Sequence, residues 1–595
     1  DISYANIRVS IEYKLPLSRH RPCFIGNIMQ FAIRLNTLFT LSAGLLLSAC
    51  ANLAGPTNPS SAQALNAAPA IPYQELSGQS LFQLLLAEIA TNRHEYAAAA
   101  ALYSEVGASF NDVAAINRAV ALNQSIGNYS AMLPMAEKWL LLRPEDPTAL
   151  MAHSVSAIAI GRIDEGLVSL DRWLVVDPTA DVSLILTSYD VLKSAQRAIL
   201  DRGLTDLLIK HPDSGSLPYT LARFKIIEDQ PEAALQLVNQ ALAVEENLQV
   251  QLFRFQLLLN LERDEEAKKT IVALTKQEPT NRQVALQYSR YLFSYEPGNL
   301  DALKALHSRF ATEPTISRTY ARAAFEYQDY DSSTAVYTHL LTTAYSNEAH
   351  YFLGRIELLN ELPDLAADHF ERVVETPYLS SALAEWIALA RPQDEQRIQA
   401  AIAAGKLSMP DMAPVLWRLQ ANYYQLIDRS DQAWSSLEDA LQQYPDNADL
   451  LYDKALLAAR LGRMGLMESN LVAVLQQEPN NANALNALGY SWADMNKNLD
   501  TAGRYIDQAL ATEPDNPAYQ DSKGWHLYRI GDLDQALLWL QKAYSRMKND
   551  EVAAHLAQVL WDLKRPSEAR DLLAEVIRNY PDSTQIDILT ELFSE

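Results

Sequence analysis

The chain has 595 residues, of which only 19 are glycine and two are cysteine, and its formal net charge is −24 at pH 7. Two cysteines exclude a disulfide scaffold or a cysteine-rich metal domain, and the scarcity of glycine leaves little room for phosphate-binding loops. The negative charge argues against a nucleic-acid partner, which would need a basic face, and the hydrophobic fraction of 49% indicates a folded chain.

The first 49 residues have the pattern of a targeting segment. Residues 1–28 precede the first methionine, Met29, and we expect them to be an upstream, non-native extension. Residues 29–49 contain a basic residue, an apolar stretch over Leu35–Leu47 and then small residues, as a secretory signal peptide does. The apolar stretch has about 13 residues and is too short for a bilayer span, which needs about 20.

The sequence Leu47-Ser48-Ala49-Cys50 resembles the lipobox of bacterial lipoproteins. This resemblance implies cleavage before Cys50 and lipidation there, which would anchor the mature chain to a membrane. Because Ala51 rather than an aspartate follows, it also implies the periplasmic face of the outer membrane of a Gram-negative cell. The alternative is an ordinary signal peptide with a chance cysteine. Residues 50–72 carry no charge, which predicts a flexible lipidated tether.

Repeats with a period near 34 residues fill the rest of the chain. Small or apolar residues mark the same position of successive C-terminal units: Ala433, Met467, Ala502, Ala536 and Ala569. Each unit has the pattern of two amphipathic helices, and an isolated pair cannot bury its apolar face unless neighbouring pairs stack on it. The period is that of the tetratricopeptide repeat, so the predicted fold is all-α, a right-handed superhelix (α-solenoid) of about 15 helical pairs.

The repeats differ in regularity along the chain. Residues 73–408 hold N-terminal and middle repeats, in which the stretches 181–215, 281–312 and 380–412 are helical in composition but out of register. Residues 409–595 hold regular repeats. We expect their last residues, 584–595, to form a capping helix over the final apolar face.

The motifs of common catalytic, nucleotide-binding and zinc sites are absent from the sequence, among them HExxH, GxGxxG, GxxxxGK[ST], GxSxG and CxxC. His350 and His369 fall in one unit but lack a third ligand at a useful spacing. Runs of carboxylates such as Asp264-Glu265-Glu266 suit helix N-termini better than acid–base pairs. We therefore expect no catalytic residue, no cofactor and no metal.

Partner binding is expected on the first helix of each unit, because that helix lines the inner groove in this architecture. Residues at spacings of three and four share one helical face. In the last three units the candidate partner-binding residues on this face are Asn486, Tyr490, Asp494, Asp521, Trp525, Tyr528 and Trp561. Aromatic side chains beside carboxylates suit a protein interface. The alternative for Trp525 and Trp561 is a place in the packing between units.

The segments ALGY, DSKGW, LYRIGD and DEVAAHLAQVLW resemble the long tetratricopeptide outer-membrane lipoproteins of gammaproteobacteria. The resemblance implies a non-enzymatic adaptor that binds a periplasmic carboxyl-terminal processing protease and its substrates, cell-wall hydrolases. The alternative is an assembly or export factor for pili or exopolysaccharide, since such lipoproteins also contain these repeats. The sequence leaves self-association and the identity of the partners open.

Overall fold

The structure, a computed structural model, describes residues 77–189, 191–390, 394–581 and 583–593. The extension 1–28, the signal peptide 29–49, Cys50 and the tether to residue 72 lie outside this range, so their assignments stay predictions. The described residues form helices without any β-strand, which confirms the all-α class. No helix in these ranges combines the length and the apolar character needed to cross a membrane.

The helices of the described residues are numbered in chain order. Those before residue 282 are α1 Gly78–Asn92, α2 Tyr96–Ser109, α3 Val113–Ser125, α4 Tyr129–Leu142, α5 Pro147–Ala159, α6 Ile163–Val176, α7 Leu186–Tyr189, α8 Ser194–Lys210, α9 Ser216–Ile227, α10 Pro231–Val244, α11 Leu248–Asn260 and α12 Asp264–Gln277. Those after it are α13 Arg282–Tyr295, α14 Leu300–Arg309, α15 Pro314–Glu326, α16 Tyr330–Leu340, α17 Ser346–Leu359, α18 Pro363–Phe370, α19 Leu379–Leu389, α20 Glu395–Ser408, α21 Ala413–Leu426, α22 Ser430–Gln443, α23 Ala448–Arg460, α24 Met464–Gln477, α25 Ala482–Asp494, α26 Leu499–Thr512, α27 Pro517–Arg529, α28 Leu533–Arg546, α29 Asp550–Asp562, α30 Pro566–Asn579 and α31 Gln585–Leu592.

Within the described ranges these helices follow one another as fifteen pairs, from α1–α2 to α29–α30, and α31 comes after the last pair. This agrees with the repeat number that the period predicts. The irregular stretches contain departures from the pair pattern: the 3-10 helices Val182–Ile185 and Pro410–Met412, and a second helix of only 10 residues, α14. The helix α31 lies in the stretch for which a capping helix is expected.

The chain forms two compact units, one ending at Tyr291 and the other beginning at Leu292. Each unit has its own buried core, centred for example on Phe224 in the first and on Trp386 in the second. The boundary predicted at 408–409 concerns the regularity of the repeats and stays a prediction. The candidate partner-binding residues all belong to the second unit.

Helix starts and turns follow from local sequence, as the pair α27–α28 shows. The side chain of Asn516 accepts hydrogen bonds from backbone N–H groups of the first turn of α27, and Pro517 occupies the first helical position, where no N–H is needed. Gly531 adopts φ +87° in the turn that follows, a conformation that favours glycine. Asp532 then caps α28.

Glycine on the first helix of a pair allows the second helix to approach closely. A Cβ atom added at Gly489 of α25 would lie 2.9 Å from the backbone oxygen of Ala502 and 2.8 Å from Cγ1 of Ile506. One added at Gly524 of α27 would lie 2.6 Å from Cγ of Leu540. All three distances are too short for van der Waals contact, so the two helices of these pairs could not pack as they do around a larger residue.

We predict that Gly489→Ala lowers the free energy of unfolding by about 1–3 kcal/mol, because the backbone oxygen of Ala502 can move away only if the helices separate. Gly465→Ala in α24 is the matched control, since its added Cβ meets no atom within 4 Å. Alanine favours the helix by about 1 kcal/mol over glycine, so the control should not lose stability. Denaturant unfolding, monitored by circular dichroism, measures the free energy of unfolding of both variants. Equal stability of the two variants would contradict the close approach of the helices at Gly489.

Candidate functional site

The face predicted for partner binding lies on the first helices of the last three pairs, α25, α27 and α29. Each helix begins at an asparagine whose side chain accepts backbone hydrogen bonds from the first turn: Asn481, Asn516 and Asn549. The helix α27 contacts both α25 and α29. Because the three helices start in the same way and lie side by side, their equivalent residues form one continuous face.

A buried aspartate–histidine pair lies at the centre of this face. Nδ1 of His555 lies 3.0 and 3.1 Å from the two carboxylate oxygens of Asp521, and both side chains are less than a tenth exposed. The indole of Trp525 stacks on the imidazole of His555, with ring centroids 4.1 Å apart and planes 20° apart. These contacts join α27 to α29.

A tyrosine connects the outer two helices across α27. The hydroxyl of Tyr490 donates to Oε1 of Glu551 at 2.8 Å and lies 3.5 Å from Nε2 of His555. Burial, together with the carboxylates of Glu551, Asp521 and Asp494, raises the pKa of Tyr490 well above its usual value. The phenol therefore stays protonated and acts as a fixed donor.

A second layer of contacts surrounds the indole of Trp525. Its Nε1 donates to Oδ1 of Asp494 at 3.2 Å, and the ring of Tyr528 stacks on it at 4.9 Å. The hydroxyl of Tyr528 donates to Oδ2 of Asp562 at 2.8 Å and accepts from Nε2 of Gln558 at 3.0 Å. Burial and the hydrogen bond to Asp562 raise the pKa of Tyr528 to about 12.

These residues form what we call the three-helix cluster: Tyr490, Asp494, Asp521, Trp525, Tyr528, Glu551, His555, Gln558 and Asp562. Its charge is dominated by carboxylates, with one imidazole among them. Burial alone would lower the pKa of His555, but the carboxylates of Asp521 and Glu551 outweigh that effect and the pKa is raised. Burial also raises the pKa of Glu551. The cluster is thus an acidic and aromatic surface held by hydrogen bonds between three repeats.

Five of the seven candidate residues are brought together in the cluster, and two are not. Asn486 is half-buried, and its Oδ1 has no hydrogen-bond partner among the residues described. The indole of Trp561 stacks on Phe593, just after α31, with centroids 4.4 Å apart, and the guanidinium of Arg570 lies 5.1 Å from it. Trp561 thus takes part in the packing at the end of the repeats, the alternative left open by the sequence.

Burial separates the members of the cluster by role. Asp521 and Trp525 are each 6% exposed, so their side chains support the face from within and offer little contact area. Asp494, Tyr528 and Asp562 are half-buried and present part of their surface to solvent. A binding partner would therefore contact the second group, while the first group fixes its geometry.

Sequence reasoning missed Glu551, His555 and Asp562. The residues of α29 assigned to the inner face included Trp561, whereas the residues that contact α25 and α27 lie on a neighbouring stripe of the helix. The available signal was the spacing of four between Glu551 and His555, which places a carboxylate and an imidazole on one helical face. Their partners on other helices could not be read from that spacing.

The two histidines of the unit at 346–370 do contact each other. Nδ1 of His350 lies 2.9 Å from Nδ1 of His369, and burial together with the neighbouring His369 lowers the pKa of His350 to about 4. Within the described ranges, three or more histidine, cysteine or carboxylate side chains nowhere converge in a way that could hold a metal ion.

Comparison with known proteins identifies the repeats. The tetratricopeptide repeat family matches residues 319–380, 496–552 and 527–591. A TPR repeat-containing protein of Pseudomonas aeruginosa is 29% identical over 490 residues, which cover 82% of this chain and 83% of that protein.

Two solved structures are also similar. The type IV pilus biogenesis factor PilW is 21% identical, with 36% of this chain and 100% of that chain covered and a TM-score of 0.30. Yeast Tom70 is 14% identical, with 87% of this chain and 95% of that chain covered and a TM-score of 0.32.

The raised pKa of His555 predicts a pH-dependent contribution to stability. A group whose pKa is raised on folding stabilises the protein fully below its unfolded pKa, about 6.5 for histidine, and loses this effect as pH rises through the folded value. We therefore expect the difference in Tm between wild type and His555→Gln to be largest below about pH 6.5 and to shrink as the pH rises above that value.

Thermal unfolding across this pH range measures the effect. His339→Gln is the matched control, because His339 is an exposed helical residue of the same unit. A His555→Gln difference that grows with pH, or one no larger than that of the control, would contradict the assigned charge on the buried pair.

Proposed function

We propose that this chain, which matches the tetratricopeptide repeat family at residues 319–380, 496–552 and 527–591, acts as a non-enzymatic scaffold that binds other proteins on the first helices of its repeats. The observation that carries the proposal is the three-helix cluster, in which side chains from three successive repeats form one hydrogen-bonded surface. Polar networks that are satisfied internally are rigid, so the half-exposed rings and carboxylates are held in place before a partner arrives. Binding to such a surface loses little conformational entropy.

The chemistry of the surface favours a basic partner segment. Asp494 and Asp562 accept charge-assisted hydrogen bonds, and the half-exposed ring of Tyr528 lies between the helices that carry them. Lysine and arginine side chains bind both kinds of group, through ion pairs and through cation–π contacts. We therefore expect the bound segment to present lysine or arginine to this face.

A catalytic role for the buried aspartate–histidine pair is disfavoured by its surroundings. A dyad of this type serves catalysis when the second ring nitrogen takes the proton of a nucleophile that a substrate can reach. Here Nε2 of His555 faces the buried hydroxyl of Tyr490, which donates its hydrogen bond to Glu551. The pair therefore supports the binding surface.

The cellular setting that we propose is the periplasmic face of the outer membrane. It is supported by the lipobox-like sequence ending at Cys50 and by the uncharged tether after it. In this setting the scaffold would bring a carboxyl-terminal processing protease to cell-wall hydrolases, the role that the similarity to lipoprotein adaptors favours. Multiple acyl chains on one cysteine give a stable anchor, whereas a single chain would be marginal.

The anchor is tested by Cys50→Ala in the full-length chain. We expect this variant to move from the outer-membrane fraction to the soluble periplasm, since the thiol that would carry the diacyl group is gone. Cys23→Ala is the matched control and should leave the distribution unchanged, because residue 23 lies upstream of the predicted start. Retention of Cys50→Ala in the membrane fraction would contradict the lipid anchor.

The scaffold role is tested by affinity purification of the full-length protein from detergent extracts. Recovery of a periplasmic protease or cell-wall hydrolase is expected, with a loss of about tenfold for Asp562→Lys, which reverses charge at the proposed contact surface. Gln541→Lys, on the exposed side of the second helix α28, is the control and should bind as wild type. Recovery of pilus or exopolysaccharide-export components alone would favour the assembly-factor alternative.

A further inference from the structure

A second face with the opposite charge lies on the first helices of an earlier pair of repeats, α15 and α17. The rings of Phe325 in α15 and Phe352 in α17 meet edge to face, with centroids 4.9 Å apart. The guanidinium of Arg322, from α15, lies 5.8 Å from the ring of Phe352, and that of Arg355, from α17, lies 5.4 Å from the ring of Phe325. Each arginine therefore crosses to the neighbouring helix and lies against one ring of this pair, and Arg322 also lies 5.7 Å from the ring of Phe293 in α13.

The acidic groups near this face neutralise only part of its charge. Glu348 is 5% exposed; it accepts from Nε of Arg318 at 2.6 Å and from the hydroxyl of Tyr337 at 3.3 Å, so Arg318, at the edge of the face, already has a buried counter-ion. Arg322 has Glu326 at 3.3 Å, one turn away on the exposed surface of α15, a kind of pair that contributes little.

Arg355 differs from the other two arginines. Its guanidinium contacts the rings of Phe325 and Tyr351, at 5.4 and 6.0 Å, and no described carboxylate lies within ion-pair distance of it. The side chain is half-buried and the chain as a whole carries −24, so carboxylates are plentiful elsewhere. A guanidinium in this setting can form an ion pair with a ligand carboxylate without giving up an existing one.

The arrangement suits carboxylates better than other anions. A guanidinium that lies against an aromatic ring can still present N–H donors at its edge, and that edge matches the two oxygens of a carboxylate. Of the two rings, Phe352 is 6% exposed and Phe325 is half-buried, so an apolar side chain between two acidic ones would contact the ring of Phe325. A nucleic acid would need a longer basic stripe to offset the negative charge of the whole chain.

We propose that this arginine face, formed by Arg318, Arg322, Phe325, Tyr351 and Arg355, binds a partner-protein segment in which aspartate or glutamate side chains alternate with apolar ones. Arg322 and Arg355 are complementary in charge to the side-chain carboxylates of such a segment, and for this reason we assign the face to this ligand. The scaffold would then hold partners at two chemically distinct places in its second unit: a basic segment on the three-helix cluster and an acidic one here. The inference extends the proposed scaffold role.

The test uses purified full-length protein and an amidated, fluorescein-labelled peptide of alternating glutamate and phenylalanine, titrated by fluorescence anisotropy. Binding is expected to weaken about tenfold in Arg355→Gln and further in the double variant with Arg322→Gln. Arg372→Gln is the matched control, because it removes one exposed charge from the same repeat and should leave binding unchanged. Raising salt from about 0.1 to 0.5 M should also weaken binding, since the ion pairs are partly exposed.

Several results would overturn the proposal. A matched peptide of glutamine and phenylalanine that binds equally well would show that the arginine face does not recognise carboxylates. An equal loss in Arg372→Gln would show a general charge effect. A lack of peptide binding, together with a change of oligomeric state in Arg355→Gln by light scattering, would assign the face to a second copy of the chain.

Two further measurements keep the outcome clear. Circular dichroism and thermal unfolding must show that Arg355→Gln is folded, and Arg355→Lys, which keeps the charge but loses the planar fork, should bind between wild type and Arg355→Gln. The peptide titration needs no cellular partner, so its failure would leave the affinity purification of the proposed scaffold unaffected. Failure of that purification would in turn leave the peptide result standing.

Discussion

The structure depends on one constraint: a pair of short amphipathic helices cannot bury its apolar faces alone, and therefore must pack between neighbouring pairs. Close approach within a pair requires small residues where the helices meet, as Gly489 and Gly524 show by the atoms that a Cβ would strike. Once this spacing is fixed, each first helix is held in register with the next. The three-helix cluster is a consequence of that register.

The three-helix cluster shows what the register makes possible. Tyr490 reaches Glu551 across an intervening helix, a contact between residues 61 positions apart. No single repeat contains enough of these groups to satisfy their hydrogen bonds, because the donors and acceptors lie on different helices. The cluster therefore stabilises the alignment of three repeats while it shapes an acidic and aromatic surface.

The same arrangement of first helices gives a different chemistry at α15 and α17, where arginines lie on a pair of phenylalanine rings. In a repeat scaffold the positions that pack the helices differ from those that face outward from the pair, so the outward positions can differ in chemistry between repeats. The acidic cluster and the arginine face therefore lie on one architecture without any change of fold. This separation of packing positions from outward positions lets one fold present surfaces of opposite charge.

The sequence by itself determined the all-α class, the repeat period and the approximate number of helical pairs, because amphipathic spacing acts within one repeat. It also placed Tyr490, Asp494, Asp521, Trp525 and Tyr528 on faces that meet. Only the tertiary structure decided that Trp525 and Asp521 are interior, that Trp561 packs at the end of the repeats, and that Glu551 and His555 complete the cluster. Burial and hydrogen-bond partners depend on residues from neighbouring repeats, and a local pattern contains no information about which of them will meet.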